Sequence, residues 1–350
     1  MGSSEFEALL DLSAEIGANP KLVQAAGGNT SLKESGILWI KASGLWLAHA
    51  REREVMVPVA LDPLLEALAR GNPAAEKAQD FVIAERNPSG LRPSIETTVH
   101  ALMPQKVVVH VHCVETIATA ALEEAERVTA ERLHDIPHAY VPYIRPGLPL
   151  ARAIAARLEE DTCVLVLGNH GLVVAAETVE AARALLERAC ARLAWPVRSA
   201  PPADKQALMR RAAGSNYVLP DEDDLHASAT DPDNCRIAGG GSLYPDHVIF
   251  LGQGVTIAEP DETAHDIEAG FAVNGLTPPP LLLFPAQGVL VRKDISLGAL
   301  ALARCLADVT ARIPADAPVR YLTDAENAEL LGWDAEKYRQ ALNRNERAIS

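Results

Sequence analysis

Apolar positions along the chain alternate between two periods. Helical spacing puts Phe6, Leu9, Leu10, Leu12 and Ile16 on one face of a helix over 4–16, after a Ser cap. Similar spacing predicts helices over 61–70, 74–86, 94–102, 116–132, 150–158 and 179–195, the last stopped by Pro196. Between them, short β-branched runs predict strands within 21–33, 37–40, 54–59, 106–114, 139–143, 163–167 and 171–175. Many short strands with helices before, between and after them predict a layered α/β unit over residues 1–195. Residues 196–240, with their PPADK, DEDD, DPDN and Gly-Gly-Gly runs, read as a polar linker around one helix. A smaller α+β unit is expected over 241–350, with strands at 248–251, 255–258, 281–284, 289–292 and 319–322. Its helices are expected at 297–313 and 325–343.

The run 106–114 adds chemistry to this outline. It carries His110 and His112, and side chains at i and i+2 on a strand share a face. Two imidazoles so placed can bind one metal ion at roughly 2.0–2.1 Å per nitrogen. A third ligand must come from another segment, and the best candidate is His170, in a Gly-Asn-His-Gly turn after a second apolar strand. Three imidazoles with an open fourth position are the pattern of a catalytic zinc site. Glu96, upstream in the PSIE stretch, is the candidate general base. Near a helix start it is also a residue that the macrodipole favours. His100, one helical turn later, is placed to support the site from behind.

Anion binding has several candidates. The turn Gly27-Gly28-Asn29-Thr30-Ser31 and the turn Lys41-Ala42-Ser43-Gly44 offer backbone N–H groups and small hydroxyls, the second with a cation added. Ser94, two residues before Glu96, and Arg145, beside Pro146-Gly147, complete the set.

Composition limits the partners. At 350 residues about two domains are expected. A net charge of −15 argues against a nucleic-acid groove or an acidic membrane surface, so an anionic substrate needs a local positive site. The five cysteines form no CxxC pair and suit a reducing cytoplasm. No apolar run reaches membrane-spanning length, and the N-terminal residues do not read as a signal peptide.

In order along the chain, GGNTSLK, KASG, PSIE, HVH and GNHG resemble the motifs of the class II aldolase/adducin family over about residues 1–195. The resemblance implies a three-layer α/β/α fold around a mainly antiparallel sheet, usually in a tetramer. It implies His110, His112 and His170 as ligands of Zn²⁺ or another divalent metal such as Mn²⁺ or Co²⁺, and Glu96 as the catalytic group. Asn29, Ser31, Ser43, Gly44 and Ser94 would bind the anion, with Lys41 and Arg145 as possible substitutes for the serine that Ile95 replaces. VPYIRPGLPLA and KASG look most like the aldolase portion of bifunctional rhamnulose-phosphate aldolase/dehydrogenase proteins, but no G-x-G-x-x-G follows here. The expected activity is metal-dependent C–C cleavage of a ketose phosphate or hydroxy-keto acid through a metal-stabilised enediolate. Decarboxylation of a keto-acid phosphate and 4-epimerisation of a pentulose phosphate are the alternatives, with a non-catalytic adducin-like binding protein behind them.

Overall fold

The computed structural model describes residues 3–332, and these residues separate into two compact units. The first contains residues 3–120 and 124–194. Its helices are α1 (Ser4–Ala18), α2 (Leu61–Ala69), α3 (Thr97–Leu102), α4 (Val114–Ala120), α5 (Ala125–Arg132), α6 (Leu148–Ala155) and α7 (Val179–Leu193). Its strands are β1 (Asn29–Glu34), β2 (Ile37–Lys41), β3 (Met56–Ala60), β4 (Val107–Val111), β5 (His138–Val141), β6 (Val164–Leu167) and β7 (Gly171–Ala176). They form one seven-stranded sheet in the order β3-β2-β1-β4-β7-β6-β5. Every neighbouring pair is antiparallel except β5 with β6.

Alternation along β4 explains the layering. Val107, Val109 and Val111 pack with Leu9, Leu12 and Ile16 of α1 and Leu186 and Leu193 of α7. Val108 faces the other way, onto Val99 of α3 and Leu150 and Ile154 of α6. Both faces of this central strand are buried, so its apolar run is nearly continuous. At the sheet edge, β3 tolerates Pro58 because an edge strand has one side without a ladder partner.

Several predicted elements come out differently. Residues 74–86 form three short 3₁₀ turns, Pro73–Glu76, Ala78–Phe81 and Ala84–Arg86, in place of one helix. Pairing with the β3 edge pulls this segment out, since Val82 bridges Val59 and Ile83 N–H donates to Pro58 C=O at 2.9 Å. The expected helix 116–132 breaks between α4 and α5, where Glu123 N–H donates to Pro318 C=O and Arg320 N–H to Ala121 C=O. Residues 121–123 therefore belong to the second unit. In 21–33 only the second expected strand exists, as β1.

The second unit contains residues 121–123 and 195–332. Its helices are α8 (Lys205–Ala212), α9 (Ala227–Thr230), α10 (Pro232–Gly239), α11 (Pro245–Leu251), α12 (Ala264–Val273), α13 (Leu297–Thr310) and α14 (Asp324–Gly332). Its strands β8 (Tyr217–Val218), β9 (Thr256–Ile257), β10 (Leu281–Phe284) and β11 (Gly288–Arg292) pair in the order β8-β11-β10-β9. The polar stretch 196–240 is thus built into this unit, since it supplies β8 and three helices. Residues 248–251 are helical as part of α11, with Pro245 at its start, and not a strand; a four-residue apolar run has no period of its own. At 319–322 there is a single bridge, Val319 to Leu122, rather than a strand. The last predicted helix begins as α14, and its expected continuation to 343 lies outside the described residues.

Candidate metal and acid–base site

Register builds the site. Asn29 on β1 is paired with His110 on β4, and His110 with Val173 on β7. The turn between β6 and β7 brings in His170. Its geometry requires its residue types: Asn169 sits at φ 50°, and at Gly171 a Cβ would lie 2.5 Å from the Val111 carbonyl oxygen. That Cβ would also press on the His110 and His112 rings, at 3.2 and 3.4 Å. Gly28, at φ 60°, passes the strand equally closely, since a Cβ there would meet the His110 carbonyl oxygen at 2.8 Å.

His110, His112 and His170 converge as the two HxH and GNHG motifs predict. Each offers a ring nitrogen, all within 4.8 Å of one another, and all three residues are buried. Ring centroids are 4.9 to 5.2 Å apart. His110 Nδ1 lies 3.0 Å from the Leu172 carbonyl oxygen, so that nitrogen carries the proton and Nε2 presents a lone pair. This main-chain acceptor has no signature in the sequence.

Glu96 faces the same point. It occupies the cap position of α3, later than the predicted helix start at Ser94. Its Oε2 is 3.3 Å from His110 Nε2 and its Oε1 is 3.6 Å from His170 Nε2, with Glu96 only 5% exposed. Burial, the largest influence, pushes the Glu96 carboxyl up. With their rings protonated, His110 and His170, then the Asn29 hydrogen bond and His112, together outweigh it and hold the group down at about 2. A buried carboxylate facing an imidazole lone pair calls for positive charge between them. Three imidazole donors beside a buried carboxylate fit a divalent cation of the zinc type.

Behind Glu96 lies a buried polar chain. Asn29 Nδ2 donates to Glu96 Oε2 at 3.0 Å and to Ser94 Oγ at 3.1 Å. Asn29 Oδ1 is hydrogen-bonded to His100 Nε2, and His100 Nδ1 lies 2.7 Å from Ser31 Oγ. Burial, aided by His110 and Lys33 and opposed by Glu96, depresses His100 to about 3 and keeps its ring neutral. Ser94 Oγ also accepts from Glu96 N–H at 3.2 Å.

The remaining candidates fall into two groups. Segments 41–43 and 92–94 run side by side: Ser94 N–H donates to Lys41 C=O at 3.0 Å and Ser43 N–H to Arg92 C=O at 2.9 Å. Ser43 and Gly44 therefore stand beside the Ser94–Glu96 segment. Lys41 is buried, with Nζ donating to the Ala26 carbonyl at 2.8 Å, which ties the two turns together. Arg145 is turned to Glu76, 3.2 Å away, and to the Pro146 carbonyl in its own loop.

A sheet of this order, layered by helices on both faces and carrying a histidine triad beside a carboxylate, defines a class of protein. The family model of the class II aldolase and adducin N-terminal domain matches residues 7–193, more than half of the chain, and the chain belongs to that family. Over 189 residues it is 30% identical to a Bacillus subtilis (strain 168) protein named uncharacterized oxidoreductase YuxG. That match covers 50% of this chain and 27% of the Bacillus protein, so the chain spans about a quarter of that relative's length. Among solved structures, the N-terminal class II aldolase domain of a conserved protein from Thermoplasma acidophilum is similar at 26% identity. It covers 55% of this chain and 93% of its own, with a TM-score of 0.48. L-fuculose-1-phosphate aldolase from Thermus thermophilus is similar at 18% identity, with 55% and 93% coverage and a TM-score of 0.37. No helix among the described residues is long and apolar enough to cross a membrane.

Proposed function

We propose that this chain is a divalent-metal-dependent lyase that cleaves a C–C bond in a small anionic carbonyl compound, a ketose phosphate or a hydroxy-keto acid. The observation that carries the reading is the 3.3 Å approach of Glu96 to His110 within a buried histidine triad. His110, His112 and His170 would hold the cation, with zinc favoured and Mn²⁺ or Co²⁺ as alternatives. A bound divalent cation supplies Lewis acidity that polarises a substrate carbonyl and makes the neighbouring bond labile.

The protein's own groups do the rest. Glu96 is the base, and it moves a proton between substrate carbon or hydroxyl and its carboxylate. Asn29 occupies Oε2, so Oε1, which accepts no hydrogen bond, is the oxygen that takes and returns the proton. Ser43, Gly44 and Ser94, held beside Glu96 by the paired segments 41–43 and 92–94, bind the anionic end of the substrate. Burial of the triad keeps bulk water from the reacting carbon. We place the enzyme in the cytoplasm as a homo-oligomer, most simply a tetramer, with no nucleic-acid partner.

Two measurements test the reading. Elemental analysis of purified protein should find near one divalent metal per chain. A screen of sugar phosphates and phosphorylated keto acids should then release an aldehyde or triose phosphate. Release of CO₂ instead would make the enzyme a decarboxylase, and protein that binds no divalent metal would overturn the proposal.

A further inference from the structure

The buried chain Ser31–His100–Asn29–Glu96 contains hydrogen bonds whose direction is fixed from one end. An ionised carboxylate only accepts, so the Asn29 nitrogen must face Glu96, as it does at 3.0 Å. The Asn29 oxygen, which also only accepts, then faces His100 Nε2, and that nitrogen must carry the ring proton. A neutral imidazole has one N–H, so Nδ1 accepts, and Ser31 Oγ at 2.7 Å is the group that donates to it. Strand geometry makes the arrangement possible. Asn29 and Ser31 share one face of β1 and grip the same ring, while Thr30 on the other face meets Ser13 at 2.7 Å.

We propose that Ser31 and His100 are positioning residues that orient Asn29 and, through it, the Glu96 carboxylate, and that Ser31 does not donate to the substrate's anion. A serine hydroxyl has a single proton. That of Ser31 is committed to His100, which leaves only lone pairs toward any other partner, and lone pairs repel an anionic oxygen. Ser94 is the reverse case. Its Oγ accepts from both Asn29 Nδ2 and Glu96 N–H, so its own proton remains to be donated. The two serines flanking Asn29 in space therefore have different jobs, although the sequence offers both as anion-binding candidates. The effect on turnover rests on Glu96 being the base proposed above; the direction of the hydrogen bonds does not.

Neutron diffraction from the deuterated wild-type protein tests the assignment without any substrate. Deuterium is expected on His100 Nε2, on Ser31 Oγ aimed at His100 Nδ1, and on Ser94 Oγ aimed away from Glu96. Deuterium on His100 Nδ1, or a Ser94 hydroxyl donating to Glu96, would overturn it. ¹⁵N spectra of the His100 ring give the same reading in solution: the Nε2–H form in wild type, in Ser31→Thr and in Ser31→Ala alike, because the direction is set from the Glu96 end. A pure Nδ1–H ring in wild type would again overturn it. With a substrate from the screen above, Ser31→Ala should lower kcat about tenfold with KM within about twofold, and Ser31→Thr should restore it. A tenfold rise in KM at unchanged kcat would instead make Ser31 an anion ligand. Loss of metal in wild type would defeat the lyase reading while leaving the tautomer result standing.

Discussion

Asn29 Nδ2 donates to Glu96 Oε2 at 3.0 Å across 67 residues of sequence, from the first strand of the sheet to the cap of α3. It does so because β1 pairs with β4 in a register that puts Asn29 opposite His110. The contact engages Oε2, which also lies 3.3 Å from His110 Nε2, and leaves Oε1 turned to His170 Nε2 at 3.6 Å.

Removing that donor should therefore act on the chemistry more than on the fold. Asn29→Ala is expected to reduce turnover by about 10- to 100-fold, in line with the loss of other supporting contacts around metal sites. Asn29→Asp should be worse, because a second carboxylate beside Glu96 raises the pKa of one of the pair. Steady-state kinetics with circular dichroism as the fold check would decide. Full activity in Asn29→Ala would show that Glu96 does not need this orientation.

Glu96→Gln separates binding from proton transfer. The amide keeps the shape of the side chain and removes its basicity, so metal content should stay near one per chain. Turnover should fall by about 10²- to 10⁴-fold, the usual contribution of a positioned acid–base group. His112→Ala should lose both, as read by elemental analysis and activity on the same preparations.

Metal binding should also stabilise the folded unit. A cation at about 100 times its Kd contributes about 2.7 kcal/mol. In a unit of this size that raises the Tm by about 5–10 °C. Thermal melts with and without chelator would measure the shift, and His170→Ala should abolish it. An unchanged Tm in wild type would mean that the triad is not the binding site.

Gly171→Ala tests how tightly the histidine strand and the turn approach each other. A methyl group there meets the Val111 carbonyl at 2.5 Å and crowds both neighbouring rings. Destabilisation of about 1–3 kcal/mol is expected, with weaker metal retention, by denaturant titration and metal analysis. Wild-type stability would show that the two strands can separate without loss.

Lys33 gives a pH dependence whose sign can be worked out. Burial lowers its pKa from 10.5 to about 7, partly offset by Glu177. Between pH 7 and 10.5 the folded state therefore binds fewer protons here than the unfolded state, and stability from this group rises with pH across that window. Comparing denaturant midpoints at about pH 7 and about pH 9.5 in wild type and Lys33→Met isolates the contribution. The wild type should gain relative to the variant at the higher pH, and no relative change would remove Lys33 as the source.

Much of this was legible in the chain. The histidines, Glu96 and the glycine-bearing turns announce themselves because each needs a particular residue type at a particular local spacing. The helix expected at 74–86 and the strand expected at 248–251 failed for a common reason. Short segments take their conformation from their surroundings: 82–83 pair with the β3 edge, and 248–251 continue the helix that Pro245 begins. Arg145, beside its turn, meets Glu76, a partner 69 residues away that local spacing does not mark.

The amino-acid sequence alone determined which groups are present, which strand face carries His110 and His112, and where only glycine or asparagine fits the turn. Tertiary structure decided what each polar group faces: Asn29 on Glu96, Ser31 on His100, His110 on the carbonyl of Leu172. Spacing along a strand follows from local backbone geometry, whereas hydrogen-bond partners follow from register between strands and helices distant in the chain. That register is set by the packing of the whole sheet.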